Sequence, residues 1–398
     1  MTRYVRAAAA VGGALANPLT ARALLAPKRI RAPIEHGRAA VDWLLEANRQ
    51  VPERQGFSLG YFLDQGAWQP AYVETTGYII PTLLRWMRHD PHRERELREA
   101  VERSAEWLLN VQFRDGSYGN PTHYTPTVFD TGQVVFGLRA AFRHLGDPRY
   151  LDAAVRASDW LCRVQDDDGA WRRGAYGSVA HTYYAEVAWA LALVWQATGE
   201  PRYRAAAARH LEWCLARQRP NGYFEVSGFD PHAPAVLHTI AYAVQGVYEA
   251  GRALGEGPAR VAARRAAEAL CARQQDGPVL AGELDADWRP AARYRCLTGL
   301  AQIAVVWLRM ADEKPAPPLS AEASRLRAYL SSRQFLAGPA ELRGGLPGSA
   351  PAWGRYFRFR LPNWGVKFFL DLLLQERSWA PRHDARRSAP ERPPEGGA

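Results

Sequence analysis

The chain has 398 residues, 47% of them hydrophobic and 23% charged, which excludes a disordered or collagen-like polymer. No run of 18 apolar residues occurs, so the sequence offers no ordinary membrane-spanning helix. Arginine and lysine outnumber the acids 51 to 41, for a formal charge of +10, but no nucleic-acid-binding motif accompanies that excess and a nucleic-acid partner is not expected.

The charge is concentrated at the start. Before Glu35 there are six basic residues (Arg3, Arg6, Arg22, Lys28, Arg29, Arg31) and no acid. The opening MTRYVRAAAAVGGALANPLTARALLAPKR has a basic start and an Ala-rich run, as a weak signal peptide would, but Asn17-Pro18 interrupts it. It reads as a basic lead-in, residues 1–34, able to rest on the body or on an anionic membrane surface. The chain is expected to be cytoplasmic.

From residue 35 the chain repeats itself. SAEWLLNVQFRDGSYG (104–119), ASDWLCRVQDDDGAWRRGAYG (157–177), RHLEWCLARQRPNGYF (209–224) and AEALCARQQDG (267–277) share one plan. A helical apolar pattern ends in Gln, a polar turn with Gly follows, and then often an aromatic. Degenerate copies end at Gln50 and Gln334, so six glutamines recur at spacings of 62, 53, 53, 56 and 60. Cys162, Cys214 and Cys271 fall at one place in the repeat and read as small buried hydrophobes. With Cys296 they form no CxxC pair, which excludes a zinc ribbon.

Between the glutamines lie second helical patterns, at 74–88, 130–145, 182–198, 236–253, 294–310 and 363–376. One helical hairpin cannot bury its own apolar face, whereas stacked neighbours can. The second helices (AEVAWALALVW, LTGLAQIAVVW) are the more apolar and small-residue-rich, so they belong inside. The expected fold is all-α: six helical hairpins closed into a ring, an (α/α)6 toroid over 35–377, with a disordered tail over 378–398.

QFRDGSY (112–118) and QDDDGAW (165–171) resemble the Q-x3-G-x-W/Y repeat of terpenoid cyclases and protein prenyltransferases, members of the α/α toroid superfamily. Polysaccharide lyases, unsaturated glucuronyl hydrolases and sugar epimerases share that toroid. ETTGYIIPTLL (74–84), HTIAYAVQGVYEA (238–250) and CLTGLAQIAVVWLR (296–309) are similar to a bacterial, VpsJ-like group among exopolysaccharide biosynthesis proteins. Two signatures of these relatives are missing. The D-x-D-D of squalene-type cyclases is absent, and the only acidic cluster, Asp166-Asp167-Asp168, falls in an outer turn. The prenyltransferase zinc site needs an acid two residues before its cysteine, and position 294, before Cys296, is Tyr. No metal or other cofactor is expected.

In such a ring the inner-helix N-termini and the loops feeding them line a funnel. Helix starts offer free N–H groups and partial positive charge, which suit anionic or hydroxyl-rich ligands. Glu74, Asp130, His181, His238 and Tyr184 are the candidate acids and bases, drawn from different hairpins so that donor and acceptor face one another. His181 and His238 hold equivalent places in adjacent repeats and are expected to be neighbours. For Asp130 and Asn363, helix capping is the plainer role. Tyr78, Trp171, Tyr176, Tyr223, Tyr242 and Trp364 are candidate platforms for a sugar face. Arg295, Lys367 and Arg358, the last from RYFRFR (355–360), are candidate partners for a carboxylate or phosphate. Tyr118, Tyr124, Phe224, Trp353 and Tyr356 add further loop rings, though 14 tryptophans need burial somewhere.

The favoured expectation is a monomeric, carbohydrate-active protein of exopolysaccharide or surface-polysaccharide biosynthesis or modification. Its partner would be a polysaccharide or lipid-linked oligosaccharide, with an anionic uronic acid suiting lyase or epimerase chemistry and Glu74 with Asp130 suiting hydrolysis. An isoprenoid cyclase or prenyltransferase is the alternative, and requires an apolar cavity with an acid at its base. A non-catalytic scaffold in a glycan assembly complex is the third.

Overall fold

Helical patterns that are alternately one-faced and apolar all round become two concentric layers. The computed structural model describes residues 30–119, 125–277 and 279–376. The basic lead-in as far as residue 29, Tyr124 and the tail from 377 lie outside the described residues. The outer layer holds α1 (Pro33–Arg49), α3 (Glu94–Asn110), α5 (Pro148–Val164), α7 (Pro201–Leu215), α9 (Gly257–Gln275) and α11 (Pro317–Ser331). The inner layer holds α2 (Val73–Met87), α4 (Val128–Leu145), α6 (Ala185–Thr198), α8 (Leu237–Leu254), α10 (Leu297–Glu313) and α12 (Asn363–Glu376). Outer α5 buries one stripe, including Tyr150, Ala154, Ala157 and Leu161, and leaves its charged face to solvent. Inner α10 buries every residue from Leu297 to Leu308. The third inner helix starts later than its pattern predicts, because Thr182–Tyr184 form a separate 3-10 turn ahead of α6.

The six inner helices pack in sequence, and α12 returns to α2, so the ring is closed. Small residues set the spacing. A Cβ on Gly77 of α2 would lie 2.5 Å from the Gln133 carbonyl oxygen, and one on Gly137 of α4 would lie 2.4 Å from that of Gly77. The seam is held by backbone and side chain together. Strand β1 (Gly60–Phe62) of the first hairpin connector pairs antiparallel with β7 (Arg360–Pro362) of the last, Gly60 opposite Pro362. Asn363 Nδ2 donates to the Ser58 carbonyl at 2.7 Å and to Thr75 Oγ1 at 2.8 Å, so this residue ties the seam. Gly344, at φ +99°, brings the sixth connector so near α1 that a Cβ would sit 1.9 Å from the Ala39 oxygen.

The repeated glutamine is a clip. Gln112 Nε2 donates to the Gly116 carbonyl at 2.9 Å and to Ala153 of the next outer helix at 2.8 Å. Gln165 does the same to Gly169 and Ala206, and Gln218 to Gly222 and Ala262. Gln334 reaches Gly344 at 3.0 Å and, across the seam, His36 at 3.2 Å. Gln50 is exposed and bonds only locally, to Glu46. The aromatic after the turn serves the same packing. Trp171 is fully buried, donates Nε1–H to the Leu161 carbonyl at 2.9 Å and lies 4.5 Å from the His210 ring. Asp166 and Asp168 are in an outer turn, each 2.8 Å from Arg172.

Candidate active site at the N-terminal mouth

Inner helices start where long connectors arrive, and there the ring holds a cavity of about 640 Å³. Its base carries two carboxyls from the first turns of adjacent inner helices, Glu74 of α2 and Asp130 of α4. Tyr72, one residue before α2, holds its hydroxyl 3.4 Å from each oxygen of Asp130 and also reaches Glu74. The pair titrates apart. Burial, with the Asp130 charge adding to it, pushes Glu74 up to about 8, while burial takes Asp130 to about 6. Both carboxyls are thus held toward the protonated form, and the pair, rather than either residue alone, gives up its two protons in separate steps around neutral pH. That is the arrangement of a general acid beside a general base.

The walls are aromatic. Phe129 stacks on Tyr184 at 5.7 Å and meets Tyr183 and Tyr242 edge-on at 5.3 and 5.1 Å. Opposite, Trp364 lies edge-on to Phe357 at 4.6 Å and donates Nε1–H to the Tyr356 hydroxyl at 2.9 Å. At the rim, Tyr176 and Phe229 are 61% and 45% exposed and meet at 5.3 Å. No Lys or Arg is among the described residues lining the cavity.

His238, on the first turn of α8, also faces the cavity. Burial pushes its imidazole down to about 3, so the ring is neutral. Gln302 donates Nε2–H to Gln245, so its Oε1 accepts the His238 Nδ1–H at 2.8 Å and Nε2 is left as the acceptor. A Cβ on Gly299 of α10 would lie 2.7 Å from the His238 backbone nitrogen, so this histidine is gripped by the next helix. Tyr184 accepts a hydrogen bond from the Tyr176 N–H at 2.9 Å, and burial pushes its hydroxyl up, so it stays a neutral donor.

The structure thus brings Glu74, Asp130, His238, Tyr184, Tyr176, Tyr242 and Trp364 to one cavity. It places the others elsewhere. His181 is fully buried beneath Tyr183 and Tyr184, with Nε2 3.0 Å from the Tyr176 carbonyl, and does not neighbour His238; the 3-10 turn after it turns the two tyrosines into the cavity instead. Trp171 is core, as described, and Tyr223 packs edge-on to Trp288 at 5.1 Å, because the repeat's aromatic serves the repeat's own packing. Arg295 lies in β5 (Arg295–Cys296), paired with Ala350, and neither it nor Arg358 lines the cavity. Tyr78 and Lys367 lie deeper and line the cavity at the other mouth, although the Tyr78 hydroxyl reaches up to Glu74 and Tyr242. Cys296 Sγ accepts the Gly299 N–H at 3.4 Å and so caps α10. Among the described residues no group of three or more His, Cys, Asp or Glu is placed to hold a metal ion.

Tyr183, a polar residue at an inner-helix start and so a candidate from sequence, also lines the cavity, whereas sequence reasoning misses Tyr72, Phe129, Phe229 and Phe357. Tyr72 immediately precedes the Glu74 helix, and Phe129 adjoins Asp130. Their equivalence as inner-helix starts was the available signal.

No family model matches the chain. Among solved structures it is similar to an unsaturated glucuronyl hydrolase specific for heparin, at a TM-score of 0.68 and 17% identity over 86% of this chain and 96% of that one. The unsaturated glucuronyl hydrolase of Bacillus sp. GL1 gives 0.67 and 16%, over 87% and 96%. Cellobiose 2-epimerase of Bacillus thermoamylovorans gives 0.67 and 12%, over 86% and 98%. Sequence matches are shorter. Copalyl diphosphate synthase of Streptomyces cyslabdanicus is 32% identical over 109 residues, 27% of this chain and 19% of that protein. Enfumafungin synthase of Hormonema carpetanum is 26% identical over 215 residues, 48% of this chain and 15% of that protein. The chain thus matches less than a fifth of the length of these curated relatives. By its closed double ring and these likenesses, the chain has the α/α toroid fold.

Proposed function

We propose that the protein is a carbohydrate-active enzyme that hydrolyses a glycosidic linkage of an oligosaccharide at the N-terminal mouth. The observation that carries this is the carboxyl pair: Glu74 and Asp130, both raised by burial, share the Tyr72 hydroxyl beneath an aromatic wall. Glu74 gives its proton to the leaving glycosidic oxygen. Asp130 takes a proton from the attacking water as the C1–O bond breaks and a C1–OH bond forms. Tyr184 and Tyr242 hydroxyls and the His238 Nε2 orient sugar hydroxyls, and the rings take the sugar face. With two carboxyls and no described cation on the wall, an uncharged ring fits the reacting position better than a uronate. The setting we propose is exopolysaccharide or surface-polysaccharide metabolism in the cytoplasm, the chain acting as a monomer. Its basic N-terminal segment would hold it near a membrane carrying lipid-linked oligosaccharide.

An isoprenoid reading has one observation in its favour: the walls are mostly aromatic, and rings shield carbocations. Acid strength speaks against it. Protonating an alkene needs a strong acid, and Glu74 near 8 is a weak one suited to an oxygen leaving group. A diphosphate would also meet no cation among the described lining residues.

The test is a panel of neutral and unsaturated uronyl oligosaccharides, read by product formation. Turnover that is lost in both Glu74→Gln and Asp130→Asn supports the reading. Turnover that survives in both, or consumption of an isoprenoid with none of sugar, overturns it.

A further inference from the structure

The inner helices end at a second cavity, of about 400 Å³, at the opposite mouth. Between the two lies a layer of rings. Tyr78 faces the lower cavity, Tyr242 the upper, and Phe368 is 5.9 Å from the first and 5.8 Å from the second. The lower lining carries six cations, Arg85, Arg88, Arg139, Arg143, Arg309 and Lys367, against three carboxyls, Glu186, Glu249 and Asp371.

Half of those cations are committed. Arg85 and Lys367 share Asp371, and Arg309 pairs with Glu249 at 2.7 Å. Arg88, Arg139 and Arg143 form no ion pair among the described residues. Arg139 donates its Nε–H to the Leu193 carbonyl at 3.1 Å, which fixes the guanidinium plane and leaves its Nη groups for another acceptor. Arg139 and Arg143 stand four apart on α4, where like charges repel and a shared anion relieves the repulsion.

Basic residues at helix C-termini often only complement the helix dipole. Two buried groups argue for more here. Gln133 and Glu186, 1% and 3% exposed, line the same cavity, and Gln133 Nε2 and Glu186 Oε1 have no hydrogen-bond partner. Unsatisfied buried polar atoms are costly and call for an occupant. Burial holds the Glu186 carboxyl well above the usual range, and its free Oε1 and the Gln133 amide point to hydrogen-bonding groups of an occupant. The cavity is therefore graded, with unpaired guanidiniums at its rim and unsatisfied hydrogen-bonding groups inside, beside cations already paired with Asp371 and Glu249.

We propose that the C-terminal mouth binds a phosphorylated polyol such as a sugar phosphate, its phosphate on Arg88, Arg139 and Arg143 and its hydroxyls toward Gln133 and Glu186. Nothing in this depends on the chemistry at the other mouth. The partial negative charge of two helix ends opposes the phosphate, but three full charges outweigh it, and Arg suits the planar, two-point grip on phosphate oxygens.

Calorimetric titration of the full chain with glucose 6-phosphate, ribose 5-phosphate and glycerol 3-phosphate, beside inorganic phosphate and glucose, tests this. At least one phosphate ester is expected to bind tenfold or more tighter than inorganic phosphate. Arg88→Ala with Arg143→Ala, both exposed positions, should weaken it at least tenfold. Arg95→Ala with Arg103→Ala removes the same charge from outer helix α3 and should leave binding unchanged. Asp130→Asn should also leave it unchanged, which separates this site from the proposed reaction. The proposal is overturned if no ester binds tighter than inorganic phosphate, or if the α3 variant weakens binding as much as the rim variant.

Discussion

The two mouths of the ring are made from opposite ends of the same six helices, and they differ in almost every respect. At the N-terminal mouth, connectors of about twenty residues arrive from the outer layer, as between Val164 and Ala185 or Leu215 and Leu237. They bring rings, a 3-10 turn and short strands, and they wall the cavity. At the C-terminal mouth the chain turns back within two residues, from Leu145 to Pro148 and from Thr198 to Pro201. Little can be added there except side chains of the last helical turns, among which arginines are the most numerous charged residues. Helix polarity dictates this division. Glu74 and Asp130 stand at helix N-termini and Arg85, Arg88 and Arg143 at C-termini, each where the dipole favours it, while Glu249 and Asp371 at the C-terminal mouth are held by ion pairs with Arg309, Arg85 and Lys367. Burial then works against the dipole at both ends: it drives Glu74 and Asp130 toward the protonated form and lowers Arg139.

The largest expected effect lies at one mouth alone. Asp130→Asn should lower kcat/KM on the responsive oligosaccharide by about 10³-fold, the range set by losing a positioned acid or base. Glu74→Gln should cost about as much, since the two act as a unit. Phosphate-ester binding at the far mouth should not move in either variant. Loss at both mouths together would mean that the variants disturb the ring and not the chemistry.

The two mouths also share one dependence, the closed seam. Gln334 is buried and makes three contacts there, to Gly344, His36 O and His36 Nδ1. Gln334→Ala should lower stability by about 2–3 kcal/mol, as for a buried group whose partners are left unsatisfied, measured by chemical denaturation. Gln50→Ala, at the exposed copy of the same repeat position, should change it by less than about 0.5 kcal/mol. An equal effect at both would show that repeat position and not seam contact is what matters.

pH separates the mouths next. Activity needs Asp130 ionised and Glu74 protonated, so kcat/KM should fall below about 6 and above about 8, the two limbs belonging to the coupled pair. The same shifts fix the sign for stability. Both carboxyls are raised on folding, so their contribution is complete at pH values below their unfolded range and is lost as pH climbs through about 6 and then about 8. Glu74→Gln has no such proton to lose. Its melting temperature relative to wild type should therefore rise between pH 6 and pH 9, and a flat difference would refute the split pair.

How much of this was readable beforehand follows from what the repeats record. Residues that recur at every copy report contact between copies, so the glutamines and inner helices gave away the ring. The same logic should have demoted Trp171 and Tyr223, which are repeat aromatics and are core. Residues that break the repeat report what one copy does alone. Glu74, Asp130 and His238 differ among equivalent helix starts, and they meet at the cavity. His181 was lost to a local detail: the turn Thr182–Tyr184 shifts the facing register, and periodicity carries no sign of it. Phe229 and Phe357 sit on irregular connectors, where neither helical nor strand spacing constrains direction. Arg295 and Arg358 are suggested by charge and position alone; strand pairing with Ala350 sets Arg295 aside, and Arg358 falls in the turn before the Arg360–Pro362 strand, away from the cavity lining.

The smallest expected effect tests how far the N-terminal mouth extends. Tyr176 and Phe229 are the most exposed rings of the cavity, one on each of two connectors, and they touch each other more than they touch the carboxyls' end. A sugar unit beyond the reacting ring would stack there. Tyr176→Ala should raise KM for a longer oligosaccharide by about threefold to tenfold, the worth of one aromatic face, with kcat nearly unchanged. A disaccharide too short to reach the rim should be indifferent to the change. If the short and long substrates suffer alike, the Tyr176 ring acts by supporting the inner wall beside Tyr184, whose backbone hydrogen bond the alanine variant keeps, and the sugar site ends at the inner aromatic wall.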